Sequence, residues 1–202
     1  ARGVALRGGA IAEFPSVTLV NHTCALTGVG PGRHGIVNNA FFDRDSGEQV
    51  VPNSSATWHS SMDWLRPGVE TVFQRVPGTT ACVNDPVDVG ADYSTFQLIR
   101  ANGGTGGLIS SLPAPADDPH CEVQWVENPD YAWGSTVDAA GVVQGLDLWS
   151  RPEPPSLMWW NTTLTDAAHH AGGPCSDIAR ASLREADRRL GVWLDLLESR
   201  GL

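Results

Sequence analysis

Twice along this 202-residue chain an extended run empties into a helix-patterned one, and that succession constrains the fold more than any single motif. Near the N-terminus "GGAIAEFPS" reads as a short strand entering a turn at Phe14-Pro15-Ser16. Apolar residues then fall at Leu19, Val20, Cys24, Ala25 and Leu26, which predicts a helix of about ten residues over 18–27 with Gly28 as its C-cap. Near the C-terminus "SLMWWNTTL" is aromatic and apolar before a polar end, the pattern of a strand. "TDAAHHAGGPCSD" follows as a loop. The last segment predicts a long helix, because Ile178, Leu183, Ala186, Leu190, Trp193, Leu194 and Leu197 recur near the 3.6-residue period. Ser176 or Asp177 can cap it and Gly201 can end it. Strands that lead into helices predict an α/β protein whose site lies at the C-terminal ends of its strands.

Between these units the texture changes. "VGPGRHG" reads as a loop and "IVNNAFFD" as a strand or extended segment. From 46 to about 155 Pro and Gly recur and the predicted elements are short. They are a helix near Val69–Val76, a strand "TTACVN", a Gly-rich loop "NGGTGG", a Pro-rich excursion "SLPAPADDPH" and a helix from about Ser135 to Ser150.

The net charge is −10, and all thirteen basic residues are Arg. An acidic chain without a basic run argues against a protein that coats nucleic acid, since phosphate neutralisation needs clustered cations. A small phosphorylated substrate remains compatible, because bound metal ions supply local positive charge. The lack of Lys beside abundant Ala, Gly and Arg matches a GC-rich, bacterial genome. No apolar run approaches the roughly 18 residues that span a bilayer. "ARGVALRGGAIAEF" carries no secretory pattern, and without an initiator Met the true N-terminus is expected upstream. The compartment, cytoplasmic or exported, and the oligomeric state stay open. Cys24, Cys82, Cys121 and Cys175 are scattered without a CxxC pair and are expected as free thiols.

Three side chains stand out for chemistry. A hydroxyl at the start of a helix, as at Thr18, faces free backbone N–H groups and the positive end of the dipole, where a phosphate is stabilised. The same position also suits a plain capping Thr. Asp166 and His170, four residues apart, can both reach one divalent cation, and Asp/His ligation suits zinc. A capping Asp and exposed histidines are the alternative, and His169 adds a second imidazole beside His170.

"FPSVTLVNHTCALTGVGPGRHGIVNNAFFD" strongly resembles the nucleophile region of the type I phosphodiesterase/nucleotide pyrophosphatase family, in the alkaline phosphatase superfamily. The family's Thr nucleophile, Asn-His, Thr-Gly, Pro-x-x-His-Gly turn and later Asn match Thr18, Asn21-His22, Thr27-Gly28, Pro31-Gly32-Arg33-His34-Gly35 and Asn39. "TDAAHHAGGP" resembles the family's Asp-x-x-Gly-His-x-x-Gly-Pro metal motif, with Asp166, His170 and Gly173-Pro174 in register and His169 where Gly is usual.

The resemblance implies an alkaline-phosphatase-like α/β/α sandwich core and a site with two zinc ions, other divalent cations being possible. It implies hydrolysis of phosphodiester or nucleotide pyrophosphate bonds through a phosphothreonine on Thr18, with Thr18, Asp166 and His170 as metal ligands and Asn39 bonded to a phosphoryl oxygen. Leu19 stands where the family often carries an aromatic that stacks on a base. His22 and His34 are expected to be structural. The chain is expected to be part of one catalytic domain, with core segments of about 1–45 and 156–202 and an inserted or capping segment of about 46–155. The family's remaining metal ligands are expected outside these residues, leaving the domain incomplete at both ends. A phosphomonoester, phosphonate or sulfate-ester substrate is the alternative within the superfamily. A non-catalytic binding or structural fragment is the alternative outside it.

Overall fold

A computed structural model describes residues 7–54, 56–101 and 115–201. Helix α1 spans Thr18–Thr27, ten residues as the apolar spacing predicted, and buries Leu19, Val20, Thr23 and Leu26. It stops at Gly28, whose φ of 69° is left-handed and whose N–H returns to the Cys24 carbonyl. The expected strand ahead of it is absent among the described residues, since 9–13 run without strand pairing. Asn21 holds that segment instead. Its side chain accepts the Glu13 N–H at 2.7 Å and donates to the carbonyls of Glu13, Pro15 and Val17. The "GPGRH" turn, read as a loop, closes into a four-residue helix α2, Pro31–His34, because Pro31 occupies its first position with φ already set. A hairpin of β1 (Phe41–Asp43) and β2 (Glu48–Val50) follows.

The central sheet has three parallel strands in the order β4-β3-β5, from Tyr93–Ser94, Thr80–Val83 and Leu157–Trp160. Val83 pairs with Trp160 and Cys82 with Ser94. The middle strand β3 is wholly buried and comes from the 46–155 segment that the sequence set apart from the core. Its side chains alternate between faces. Cys82 packs with Leu19, Val20 and Leu26 of α1, whereas Ala81 and Val83 pack with Leu148 on the opposite face. The result is a helix–sheet–helix sandwich.

Leu148 belongs to α4, Pro129–Ser150, which starts about two turns earlier than expected. The Asn128 side chain accepts the N–H groups of Asp130 and Tyr131, both at 3.1 Å, and Pro129 sits at the first position. Gly134 inside it permits close approach, since a Cβ there would lie 2.8 Å from the Leu164 Cα. The region 164–172, expected as a loop, is the helix α5, Leu164–Gly172. Its buried face is Leu164, Ala167 and Ala168, small groups that a scan for large apolar residues passes over. The last helix, α6, spans Asp177–Ser199, with the Ser176 hydroxyl accepting the Ala179 N–H as predicted. Leu183, Leu190 and Leu194, counted toward its core face, are exposed.

Between α4 and α6 lies a buried ionic network. Arg189 contacts Glu185 at 2.6 Å and Asp118 at 2.9 Å, and the Tyr131 hydroxyl donates to Glu185 at 2.5 Å. The helix expected at 69–76 shrinks to a 3-10 turn, Val72–Gln74, closed by a Thr71–Gln74 capping box. A seven-residue 3-10 helix, Trp58–Trp64, and a short α3, Thr95–Ala101, complete the cavity-bearing side. The "NGGTGG" loop lies outside the described residues, as does the first part of the Pro-rich excursion. All four cysteines are free. Among the described residues no helix is long and apolar enough to cross a membrane.

Candidate active site

A cavity of about 350 Å³ opens where the three parallel strands end. Asn84 and Pro86 follow β3, Thr95 follows β4, and Asn161, Thr162 and Thr163 follow β5, and all six line it. The carboxyl edge of the sheet therefore forms the floor, the place where an α/β fold gathers functional side chains. Thr18 and His22 line the cavity from α1, and Asp166 from α5.

Thr18 is the first residue of α1, one position inside the cap. The cap itself is Val17, extended and without a side-chain acceptor. Thr18 is exposed, so its hydroxyl is not consumed in ending the helix. The half-buried Asn39 approaches the same helix start, its Oδ1 accepting the Leu19 N–H at 3.0 Å. Among the described residues its Nδ2 donates to no protein group, which leaves an amide N–H beside the helix start.

Leu19 does not take the expected place against a substrate. Its side chain is fully buried in the core with Val20 and Leu26, because the residue after Thr18 turns inward toward the sheet. The aromatic surface of the cavity comes instead from Trp58, Phe96 and Trp133.

Asp166 and His170 lie one turn apart on α5, both largely exposed, with His170 Nε2 3.6 Å from Asp166 Oδ1. They share a face because helical residues four apart are neighbours. His169 is turned away, its Nδ1 bonded to the Thr165 carbonyl of its own helix. The N-terminus of α5 is held by the buried Asp138 of α4, which accepts the N–H of Thr163 at 2.7 Å and of Leu164 at 3.1 Å. Burial pushes the Asp138 carboxyl up to about 6 in spite of those two donors.

His22, expected to be structural, has a second face. Its Nδ1 lies 2.9 Å from Oδ2 of the buried Asp85, a contact close enough for an ion pair but poorly aligned as a hydrogen bond. Burial works against its charged form, yet the proximity of Asp85, with Asp166 behind it, raises its pKa above 6.5. Asp85 is itself held by the Val87 N–H and the Trp159 indole. His34 fits the structural role. It is buried, its Nδ1 accepts the Ile36 N–H, and burial followed by the Arg66 charge lowers its pKa.

Sequence reasoning passed over Asn84. It sits at φ 59°, the left-handed region that Asn tolerates better than most residues, directly after β3. Its N–H meets the Thr95 hydroxyl, its side chain donates to Val137, and its carbonyl accepts from Asn161. The visible signal was a polar "ND" pair closing an apolar strand.

The donor chemistry suits zinc in kind and falls short in number. Asp166 and His170 form a two-donor pair, and among the described residues no group of three or more His, Cys, Asp and Glu side chains is placed to hold a metal.

A parallel sheet whose carboxyl edge opens on a cavity beside a helix N-terminus defines an α/β protein with its candidate site at the ends of its strands. The chain belongs to the type I phosphodiesterase/nucleotide pyrophosphatase family, whose model matches residues 2–202. It is 25% identical over 198 residues to an uncharacterized pyrophosphatase/phosphodiesterase of Schizosaccharomyces pombe, covering 95% of this chain and 34% of that protein. It is 30% identical over 146 residues to ectonucleotide pyrophosphatase/phosphodiesterase family member 3 of Mus musculus, covering 67% of this chain and 16% of that protein. The chain thus spans about a third or less of these curated relatives. Murine ectonucleotide pyrophosphatase/phosphodiesterase 5, solved in an inactive form in complex with AMP, superposes with a TM-score of 0.61 at 16% identity, over 93% of this chain and 42% of that one. Phosphonoacetate hydrolase from Sinorhizobium meliloti 1021, solved with phosphonoformate, superposes with a TM-score of 0.55 at 21% identity, over 92% of this chain and 44% of that one. The fold is alkaline-phosphatase-like.

Proposed function

We propose that this chain carries the nucleophile and part of the metal site of a zinc-dependent enzyme that hydrolyses phosphodiester or nucleotide pyrophosphate bonds. The observation that carries the reading is Thr18, exposed at the start of α1 and lining one cavity with Asp166. Family membership supports the reaction class.

In this reading the Thr18 oxygen attacks phosphorus as the bond to the leaving oxygen breaks, giving a phosphothreonine. A water oxygen then attacks that phosphorus, and the Thr18 oxygen departs and regains a proton. Asn39 Nδ2 donates to a non-bridging phosphoryl oxygen as its charge grows. The free N–H groups of the first turn of α1 favour the same anion. Asp166 and His170 would hold one metal ion, with Thr18 as a further ligand. Zinc bound there supplies positive charge for the phosphoryl group and lowers the pKa of a bound hydroxyl.

The test is zinc-dependent kcat/KM of the gene-encoded protein and its Thr18→Ala variant on bis(p-nitrophenyl) phosphate, p-nitrophenyl phosphate and a nucleotide p-nitrophenyl ester. Preference for the diesters, reduced at least a hundredfold by Thr18→Ala, is expected, a loss typical of removing an acting nucleophile. A variant that keeps near-normal kcat refutes the nucleophile assignment. The lack, among the described residues, of a third metal donor beside Asp166 and His170 favours one other reading, a fragment that binds without catalysis. Accordingly the 202-residue chain alone is expected to bind zinc weakly and show negligible turnover.

A further inference from the structure

The Thr18 chemistry leaves an Asp–His pair at the cavity wall unused. Asp85 is fully buried just past β3, and its carboxylate accepts the Val87 N–H at 2.9 Å and the Trp159 indole N–H at 2.8 Å. Neither donor carries a charge, and an ionised oxygen in the interior calls for a paired cation. Among the described residues the cation at ion-pair distance is His22, whose Nδ1 stands 2.9 Å from Asp85 Oδ2. Burial by itself favours the neutral ring, yet Asp85, with Asp166 farther off, raises its pKa above 6.5. The Nδ1 atom is buried, but the His22 side chain keeps 25% of its exposure and lines the cavity with Thr18. Nε2 is therefore the accessible nitrogen of the ring, and among the described residues no protein group meets it. His22 and Thr18 lie four residues apart on α1 and share a face. Helical side chains lean toward the N-terminus, which carries the imidazole toward the Thr18 turn.

We infer that His22 is a further catalytic residue, held on Asp85 and donating its Nε2–H to a non-bridging oxygen of the phosphoryl group that Thr18 attacks. This rests on the phosphodiesterase reading. Asp85 is the positioning residue, fixing the ring through Nδ1 and keeping both of its protons in place. As negative charge grows on the phosphoryl oxygens, a charged N–H stabilises them more than a neutral amide does. No Arg lines the cavity and the chain has no Lys. His59 lines it too, but its Nδ1 is buried without a partner, and among the described residues no carboxylate holds its ring. A purely structural His22 accounts for the contact with Asp85 and leaves its accessible nitrogen beside Thr18 without a role.

The experiment follows the imidazole nitrogens by NMR in zinc-free, gene-encoded protein at about pH 6 while inorganic phosphate is added. Turnover of bis(p-nitrophenyl) phosphate by the zinc-loaded protein is measured in parallel. The His22 Nε2 resonance is expected to shift and saturate, while that of the buried His34 stays in place. This wild-type reading needs no variant. The double change His22→Gln with Asp85→Asn leaves a neutral polar pair in the interior, so that no carboxylate is orphaned there. It is expected to weaken phosphate binding and to lower diester kcat/KM, each by about tenfold or more. Asp85→Asn alone, which keeps the ring and loosens its hold, is expected to fall between the double variant and wild type. A His22 resonance that phosphate leaves in place overturns the inference, as does a double variant within about twofold of wild type in both measurements; diester turnover then still upholds the phosphodiesterase reading. Wild-type protein that turns over no diester overturns that reading, and with an unmoved His22 resonance it overturns both.

Discussion

The side-chain oxygen of Asn39 accepts the backbone N–H of Leu19 at 3.0 Å, tying a residue twenty positions downstream to the first turn of α1. One amide thereby has two jobs, an acceptor that orders the helix start and a donor left for a ligand. The two are separable. Asn39→Ala is expected to lower stability by about 1 kcal/mol, the usual worth of such a bond, and to reduce turnover. Asn39→Asp keeps the acceptor and places a carboxylate at a helix N-terminus, so stability is expected to hold while turnover falls at least tenfold. Urea denaturation and kcat/KM on the same preparations check this. An Asp variant with normal turnover removes Asn39 from the phosphate site.

Asp138 caps α5 from α4 and is pushed up to about 6 by burial, above its ordinary value of 3.8. The folded state thus binds this proton more tightly than the unfolded chain. The resulting stability is complete below about pH 3.8 and is lost as pH rises through about 6, of order 3 kcal/mol in all. His22, raised above 6.5, adds a contribution present below pH 6.5 and lost above it. Metal-free protein is therefore expected to lose stability from pH 4 to pH 7, and Asp138→Asn to flatten the lower part of that slope. Thermal melts across this range decide it, and a wild-type stability that rises over the interval contradicts the assignment.

Glu185 is fully buried and joins Tyr131, Ser135 and Arg189. Removing it leaves the Arg189 guanidinium in the interior with, among the described residues, only Asp118 and Ser135 to meet it. Breaking a buried pair from one side typically costs about 3–5 kcal/mol. Glu185→Ala is expected to fall in that range by chemical denaturation, and the double change Glu185→Leu with Arg189→Met to recover a large part of it. A single variant within about 1 kcal/mol of wild type shows that the network is not a determinant of stability.

Which parts were legible follows from which forces set them. Helices α1 and α6 were readable because their large apolar residues recur at the helical period and their ends carry local signals, Gly28 and Ser176. Helix α5 was not, because its buried face is mostly alanine and its cap is Asp138, 25 residues upstream. The start of α4 did leave a local trace in "NPD", outweighed by the glycines that follow. The segment before Thr18 looked like a strand, but Asn21 satisfies its backbone where a neighbouring strand would. At the site, Thr18 and Asp166 could be named from sequence, and the cavity joins them. Trp58, Asn84 and Trp133 reach it from separate elements, so no sequence spacing links them. Leu19 shows the reverse, a position next to Thr18 that the helix turns into the core.

The two adjacent histidines of α5 make a direct test of the metal proposal. His170 shares a face with Asp166 at 3.6 Å, whereas His169 spends its Nδ1 on the Thr165 carbonyl. A zinc ligand must present a neutral ring nitrogen to the ion; residues three and four apart both neighbour Asp166 on the helix, and it is His170 whose ring lies beside that carboxylate. His170→Ala and Asp166→Asn are each expected to weaken zinc binding by at least about tenfold in isothermal titration, since losing even an outer-shell partner of a metal site typically costs about 10–100-fold. His169→Ala is expected to leave affinity within about threefold and instead to loosen α5 slightly through its lost backbone contact. If His169→Ala proves the damaging change, the motif is read one residue out of register and the ion lies on the other side of α5.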